Sequence, residues 1–175
     1  MNSYVKIVIL INFSELLQKI IDWRLSIGYL SNINEVDQMR KMIWTAECKT
    51  GVEEIDSQHR LLFAISNELL DIENPFKQQD EIRYLLRHLF DYVEKHFKTE
   101  EEYFQKHNYP GFKEHHDRHE EIKKEITNTI KESKSMYELK DKLDTMLDNW
   151  IRVHVLIEDK KYSVWATTKN LIPAK

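Results

Sequence analysis

Residues 81–106 read EIRYLLRHLFDYVEKHFKTEEEYFQK. Within them Leu85, Leu89, Tyr92, His96, Glu100 and Tyr103 recur at steps of three and four, the spacing that places residues on one face of an α-helix. The row is apolar for its first half and then passes to an imidazole and a carboxylate without leaving that face. Because an amphipathic helix turns its apolar face inward, this stretch aims His96 and Glu100 at the interior.

Three further stretches share the period. Residues 55–72 carry Ile55, Leu62, Phe63, Leu69 and Leu70, with His59 on the same stripe, and Asn74-Pro75 ends them. Tyr109-Pro110-Gly111 breaks the chain after the long helix, and a third helix lines up His115, His119, Ile122, Ile126 and Ile130. A fourth, over residues 137–164, lines up Leu139, Leu143, Met146, Leu147, Trp150, Ile151 and His154. With only three Gly and three Pro in 175 residues, the chain has little punctuation for a many-stranded sheet. Four helices with short connections predict an all-α fold, an antiparallel up-down-up-down four-helix bundle.

That topology brings the polar residues of the apolar faces to one level. His59 lies near the start of the first helix, and His96 and Glu100 near the end of the second. His115 and His119 open the third, while His154 and Asp159 lie toward the end of the fourth. The pairs H-x-x-x-E and H-x-x-x-H each aim at one point, since residues four apart are ~6 Å neighbours on a helix. The pair H-x-x-x-x-D is different. Five residues span ~1.4 α-helical turns, so Asp159 is expected to sit off to the side of His154 and reach around to the shared target. Five imidazoles and two carboxylates suit iron, zinc or manganese. Buried without metal or mutual pairing, they would cost several kcal/mol. His88 and His116 fit neither set and read as solvent-facing.

Composition narrows the function classes. Charged residues are 32% and hydrophobic ones 41%, with net charge −4 and both signs interspersed, so there is no basic footprint for nucleic acid. Cys48 is the single cysteine and can form no intrachain disulfide, which favours a reducing, cytoplasmic setting. The aliphatic run Ile7–Ile11 falls far short of the ~20 residues of a membrane span. It has neither a strongly charged leader nor a small-residue cleavage site, so no signal peptide and no membrane partner are expected.

Residues 1–41 read differently from the rest: a strand-like run over residues 4–12, then Ser14 as an N-cap before Leu16, Leu17, Ile20 and Ile21. Met39 and Met42 are alternative starts. The division expected is an N-terminal extension of unknown role, 1–41, and a functional unit, 42–175. Oligomeric state stays open, a monomer included.

The residues that carry the metal pattern also carry a family resemblance. GVEEIDSQH at residues 51–59 resembles the start of the first helix in hemerythrins of the bacterial type. His96-Phe97-Lys98-Thr99-Glu100-Glu101, Tyr109-Pro110, His115-x-x-x-His119 and Trp150-Ile151-x-x-His154-x-x-x-x-Asp159 are similar to its remaining signatures, over about residues 44–165. The family is itself a known example of the up-down bundle. The resemblance implies two iron ions per chain. One would take His115, His119 and His154, the other His59 and His96, with Glu100, Asp159 and an oxo or hydroxo group bridging them. Coordination counting then leaves one open position, on the iron of His59 and His96, where O2 is expected to bind.

A carrier is expected rather than an enzyme. Di-iron enzymes that activate oxygen commonly use four carboxylates and two histidines, whose negative charge favours high-valent iron; here two of seven ligands are anionic. Leu62, Phe63, Phe97 and Ile151 are expected to wall the pocket against water. No Ser or Cys nucleophile with a partnered base and no phosphate-cradling Gly loop is present. Two other readings stay open: a sensor of O2, redox state or nitric oxide acting on a partner, and a di-iron enzyme consuming peroxide or nitric oxide. A zinc site with hydrolase-like chemistry is a lesser alternative.

Overall fold

A buried carboxylate fixes the entry to the first helix. Asp56 accepts hydrogen bonds from the backbone N–H of Thr50 (2.6 Å), the Thr50 hydroxyl (2.7 Å) and the backbone N–H of Gly51 (3.2 Å). Gly51 sits at φ +95°, in the left-handed region that a residue without Cβ enters at no steric cost. The structure, a computed structural model, describes residues 41–172. Nearly all of the N-terminal extension, including the strand-like run over 4–12, lies outside the described residues.

Helix α1 spans Glu53–Leu70, α2 Gln79–Lys106 and α3 Phe112–Glu132. The turn between α2 and α3 contains Asn108 at φ 55°, one of the few side chains that tolerate that conformation. Helix α4, Met136–Asn149, starts at Ser135, whose hydroxyl accepts from the Glu138 N–H at 3.1 Å. The rod does not end at Asn149. It continues as a π-helical segment, Trp150–Glu158, and then as helix α5, Asp159–Thr168.

Among the described residues there is no strand, and the fold is the expected four-helix bundle. Helix α1 packs against α2 and α4, and α3 packs against the same two, while the π segment lies on α1. The expectation that residues 137–164 form one α-helix is corrected, since the rod is interrupted by π geometry and runs on to Thr168.

Two apolar clusters fill the bundle. The larger includes Leu62, Leu89, Phe97, Ile126, Leu147 and Ile151, and the smaller includes Ile55, Phe104, Tyr162 and Ala166. The metal-ligand types fall between them along three of the rods. His59 lies between Ile55 and Leu62, Glu100 between Phe97 and Phe104, and His154 between Ile151 and Tyr162. A polar layer is thus sealed above and below by hydrocarbon.

Candidate metal centre

The π segment decides where the last carboxylate goes. The Asp159 backbone N–H donates to the carbonyl of His154, five residues back. An i→i+5 ladder is wound wider than an α-helix, so five residues come close to one full turn and Asp159 stacks on the His154 face. The expectation that it reaches around from the side is corrected: the backbone, not the side chain, absorbs the odd spacing.

All seven predicted residues converge. Asp159 Oδ2 lies 3.0 Å from His59 Nε2, whereas its Oδ1 lies 3.4 Å from both His115 Nε2 and His154 Nε2. Glu100 behaves the same way. Its Oε2 lies 3.1 Å from His115 Nε2 and from His119 Nε2 and 3.6 Å from His96 Nε2, and its Oε1 is 3.8 Å from His59 Nε2. His119 Nε2 and His154 Nε2 approach to 3.2 Å. Two groups that can each hold an ion result: Glu100, His115, His119 and His154, and His59, His96, Glu100 and Asp159.

Burial is nearly complete. His59, His96, Glu100, His119 and His154 are fully excluded from solvent, Asp159 is 1% exposed and His115 7%. Yet His59 Nε2, His96 Nε2, Glu100 Oε1 and both Asp159 oxygens make no hydrogen bond of good geometry, even where, as between His59 and Asp159, they approach to 3.0 Å. Buried polar atoms are normally satisfied, and five orphaned lone-pair atoms facing one another would be satisfied together by cations. The residues present fit a metal pair.

Electrostatics agree. Burial pushes the Glu100 carboxyl up, but His96, His115 and His119 hold it well below the usual carboxylate range. Asp159 is lowered too: burial and Glu100 push it up, while His154 and His59 outweigh them. Burial drives the His96 imidazole down to about 3, so it is neutral, the form that binds metal. Burial works the same way on His59 and His119, yet Asp159 beside the first and Glu100 beside the second raise both. Two buried carboxylates thus favour positive charge beside them, which a metal cation would supply.

Residues 50–166 match the hemerythrin HHE cation binding domain. The chain belongs to the hemerythrin family. A bacteriohemerythrin of Clostridium acetobutylicum is 35% identical to it over 127 residues, 69% of this chain and 97% of that protein. One of Stenotrophomonas maltophilia is 26% identical over 125 residues, covering 71% and 81%. One of Campylobacter jejuni is 31% identical over 108 residues, covering 61% and 81%. No solved structure gives a significant match.

In this hemerythrin domain an outer layer of side chains orients the imidazoles. His119 Nδ1 lies 2.9 Å from Glu101 Oε1, His154 Nδ1 lies 2.7 Å from Glu158 Oε2, and His96 Nδ1 lies 3.0 Å from Gln58 Oε1. Sequence reasoning missed these three. A signal existed for Glu158, which stands four residues after His154. Glu101 and Gln58 are each next in sequence to a ligand-type residue, on a neighbouring stripe that the apolar pattern does not mark. His116 belongs to neither metal group; its side chain is partly exposed, with Nδ1 3.0 Å from the same Glu101 oxygen. His88 is half-buried beside Tyr84, with ring centroids 4.2 Å apart.

Aromatic rings close the walls. Phe97 stacks on His119 at 3.7 Å and 5°, and Tyr92 stacks on His96 at 4.9 Å and 21°. Leu62, Phe63, Phe97 and Ile151 are all buried in the larger core cluster.

Proposed function

We propose that this protein binds O2 reversibly at a non-haem di-iron centre and serves as an oxygen carrier or store rather than an enzyme. The observation that carries the reading is the placement of Glu100 and Asp159, each of which turns one oxygen toward His59 and the other toward histidines of the three-histidine group. Carboxylates so placed would each serve two ions. His115, His119 and His154 would hold one iron, and His59 and His96 the other. When bound, the two ferrous ions supply the electrons that hold dioxygen reversibly.

What the chain itself does follows from its donor set. His59 and His96 offer one nitrogen fewer than the opposite group, so on that side the protein itself would leave room for a small ligand. Only two of the seven inward groups are anionic, so the site does little to stabilise iron beyond the ferric state. Leu62, Phe97 and Ile151, each at most 1% exposed, keep water from the cluster and slow loss of electrons from the ferrous pair.

The reading extends to the rest of the chain. We take residues 42–175 as the functional unit and 1–41 as an extension outside it; the matched family region, 50–166, supports this. The setting we propose is the cytoplasm. No helix among the described residues is long and apolar enough to cross a membrane, and Cys48 is free and buried.

Turnover separates carrier from catalyst. Under excess hydrogen peroxide or nitric oxide with a reductant, the iron-loaded protein is expected to consume neither faster than free ferrous ion. Sustained consumption over many turnovers would assign it to the enzymes instead.

A further inference from the structure

The five imidazoles are backed unequally. In the three-histidine group, His119 and His154 each turn the outer nitrogen to a carboxylate, Glu101 at 2.9 Å and Glu158 at 2.7 Å. In the two-histidine group, His96 faces the neutral amide oxygen of Gln58 at 3.0 Å. That amide is held in place, because its Nε2 donates to Thr99 Oγ1 at 3.0 Å and the Thr99 hydroxyl donates to the Lys95 carbonyl at 2.8 Å. His59 Nδ1 is buried and has no hydrogen-bond partner.

An imidazole that donates to a carboxylate is a more basic ligand than one that donates to an amide, and its ring is held more firmly. Both acids lie beside a further basic side chain: Glu101 Oε1 is 3.0 Å from His116 Nδ1, and Glu158 Oε2 is 3.8 Å from Arg118 Nε. One pocket thus combines three nitrogens with two backing charges, while the other combines two nitrogens with none.

We propose that the two metal positions are unequal in affinity, the ion of His115, His119 and His154 entering first and leaving last. Glu101 and Glu158 are the positioning residues that set this order, and Gln58 keeps the His59–His96 position the weaker of the two. A half-loaded protein carrying one ion is therefore a defined state of the molecule. The inference rests on the metal-centre reading above but not on O2 as the ligand.

Cobalt(II) titration of the metal-free full chain tests it, followed by d–d absorption and calorimetry under anaerobic conditions. The wild type is expected to take up two ions in two steps, the first at least ~10-fold tighter. In the double variant Glu101→Gln and Glu158→Gln, which keeps an acceptor in place but removes the charge, the first step should weaken by ~10–100-fold while the second hardly moves. Gln58→Glu should strengthen the second step and narrow the gap. Both acids sit near the surface, at 20% and 22% side-chain exposure, and helical circular dichroism verifies that the variants fold. Two equal steps in the wild type, equal weakening of both steps in the double variant, or no response to Gln58→Glu would each overturn the order proposed. Absence of any cobalt uptake would instead overturn the metal-centre reading itself.

Discussion

The backbone N–H of Asp159 donates to the carbonyl of His154, across five residues rather than four. That one change of ladder turns a spacing that does not suit an α-helix into a ligand pair on one face. π geometry is rare and concentrates at functional sites, and here it occurs on the rod that delivers both an imidazole and a carboxylate to the centre.

Such a segment is expected to be soft until metal holds it. Its hydrogen bonds span five residues rather than the four of an α-helix, and its sequence gains nothing from that without a ligand. Amide hydrogen exchange over residues 150–159 should slow by at least ~10-fold on metal binding, well beyond the change over residues 136–149. Equal protection of the two segments would show that the π ladder stands on its own packing.

His119 has its inner nitrogen 3.1 Å from Glu100 and 3.2 Å from His154 Nε2, its outer nitrogen on Glu101, and its ring stacked on Phe97. His119→Ala is therefore expected to lose the iron pair while the helices persist, since neither apolar cluster includes it and Phe97 keeps its other core neighbours. Iron analysis and far-UV circular dichroism check this together. Full iron with an unchanged visible spectrum would refute the ligand assignment.

Ile151 is fully buried in the π segment and belongs to the larger core. Ile151→Ala should lower stability by ~2–5 kcal/mol, seen as a lower urea midpoint at unchanged slope. On the proposed reading Ile151 also walls the site, so the oxygenated protein should autoxidise faster as well. A destabilised variant with an unaltered autoxidation rate would remove Ile151 from the pocket lining.

The pH dependence of the metal-free chain follows from groups that shift in opposite directions. His96, at about 3 when folded against 6.5 for an ordinary imidazole, carries its proton only in the unfolded chain between those values. Its contribution is complete above about pH 6.5 and is lost as pH falls toward 3. Burial raises Glu101, but its contacts with His119 and His116 outweigh that and bring it to about 2; it acts the same way lower down, present above about pH 4.5 and lost toward 2. His59 and His119 oppose them, stabilising below about 6.5 and losing that contribution as pH rises through their raised values. Urea unfolding of the metal-free protein should show a smaller rise in stability from pH 4 to 6 in His96→Leu than in the wild type. Parallel curves would contradict the buried neutral state of His96.

Much of this was legible in the chain before any coordinates. The period of residues 81–106 and its neighbours specifies four helices, because apolar rows at three- and four-residue steps can be buried in no other way. The seven inward residues followed from the alternation of helix direction, which brings His59, Glu100, His115 and His154 to one level. The π segment was not legible. Nothing in WIRVHVLIE departs from an ordinary buried helix, and the five-residue gap read with α pitch put Asp159 on the wrong side. The backing residues escaped for a different reason. Gln58, Glu101 and Glu158 are polar residues beside polar ligands, and only the direction of the outer imidazole nitrogens, a three-dimensional quantity, separates them from solvated charges such as Glu102.

The central claim is that this centre holds two irons and takes up O2 reversibly. Iron content measured together with an anaerobic-to-aerobic optical titration of the purified protein tests it most directly. The account predicts two irons per chain and a visible band that grows with oxygen and vanishes when oxygen is withdrawn. Two irons that oxidise at once and never recover the ferrous spectrum would contradict the carrier reading, and a protein purified without any iron would contradict the centre itself.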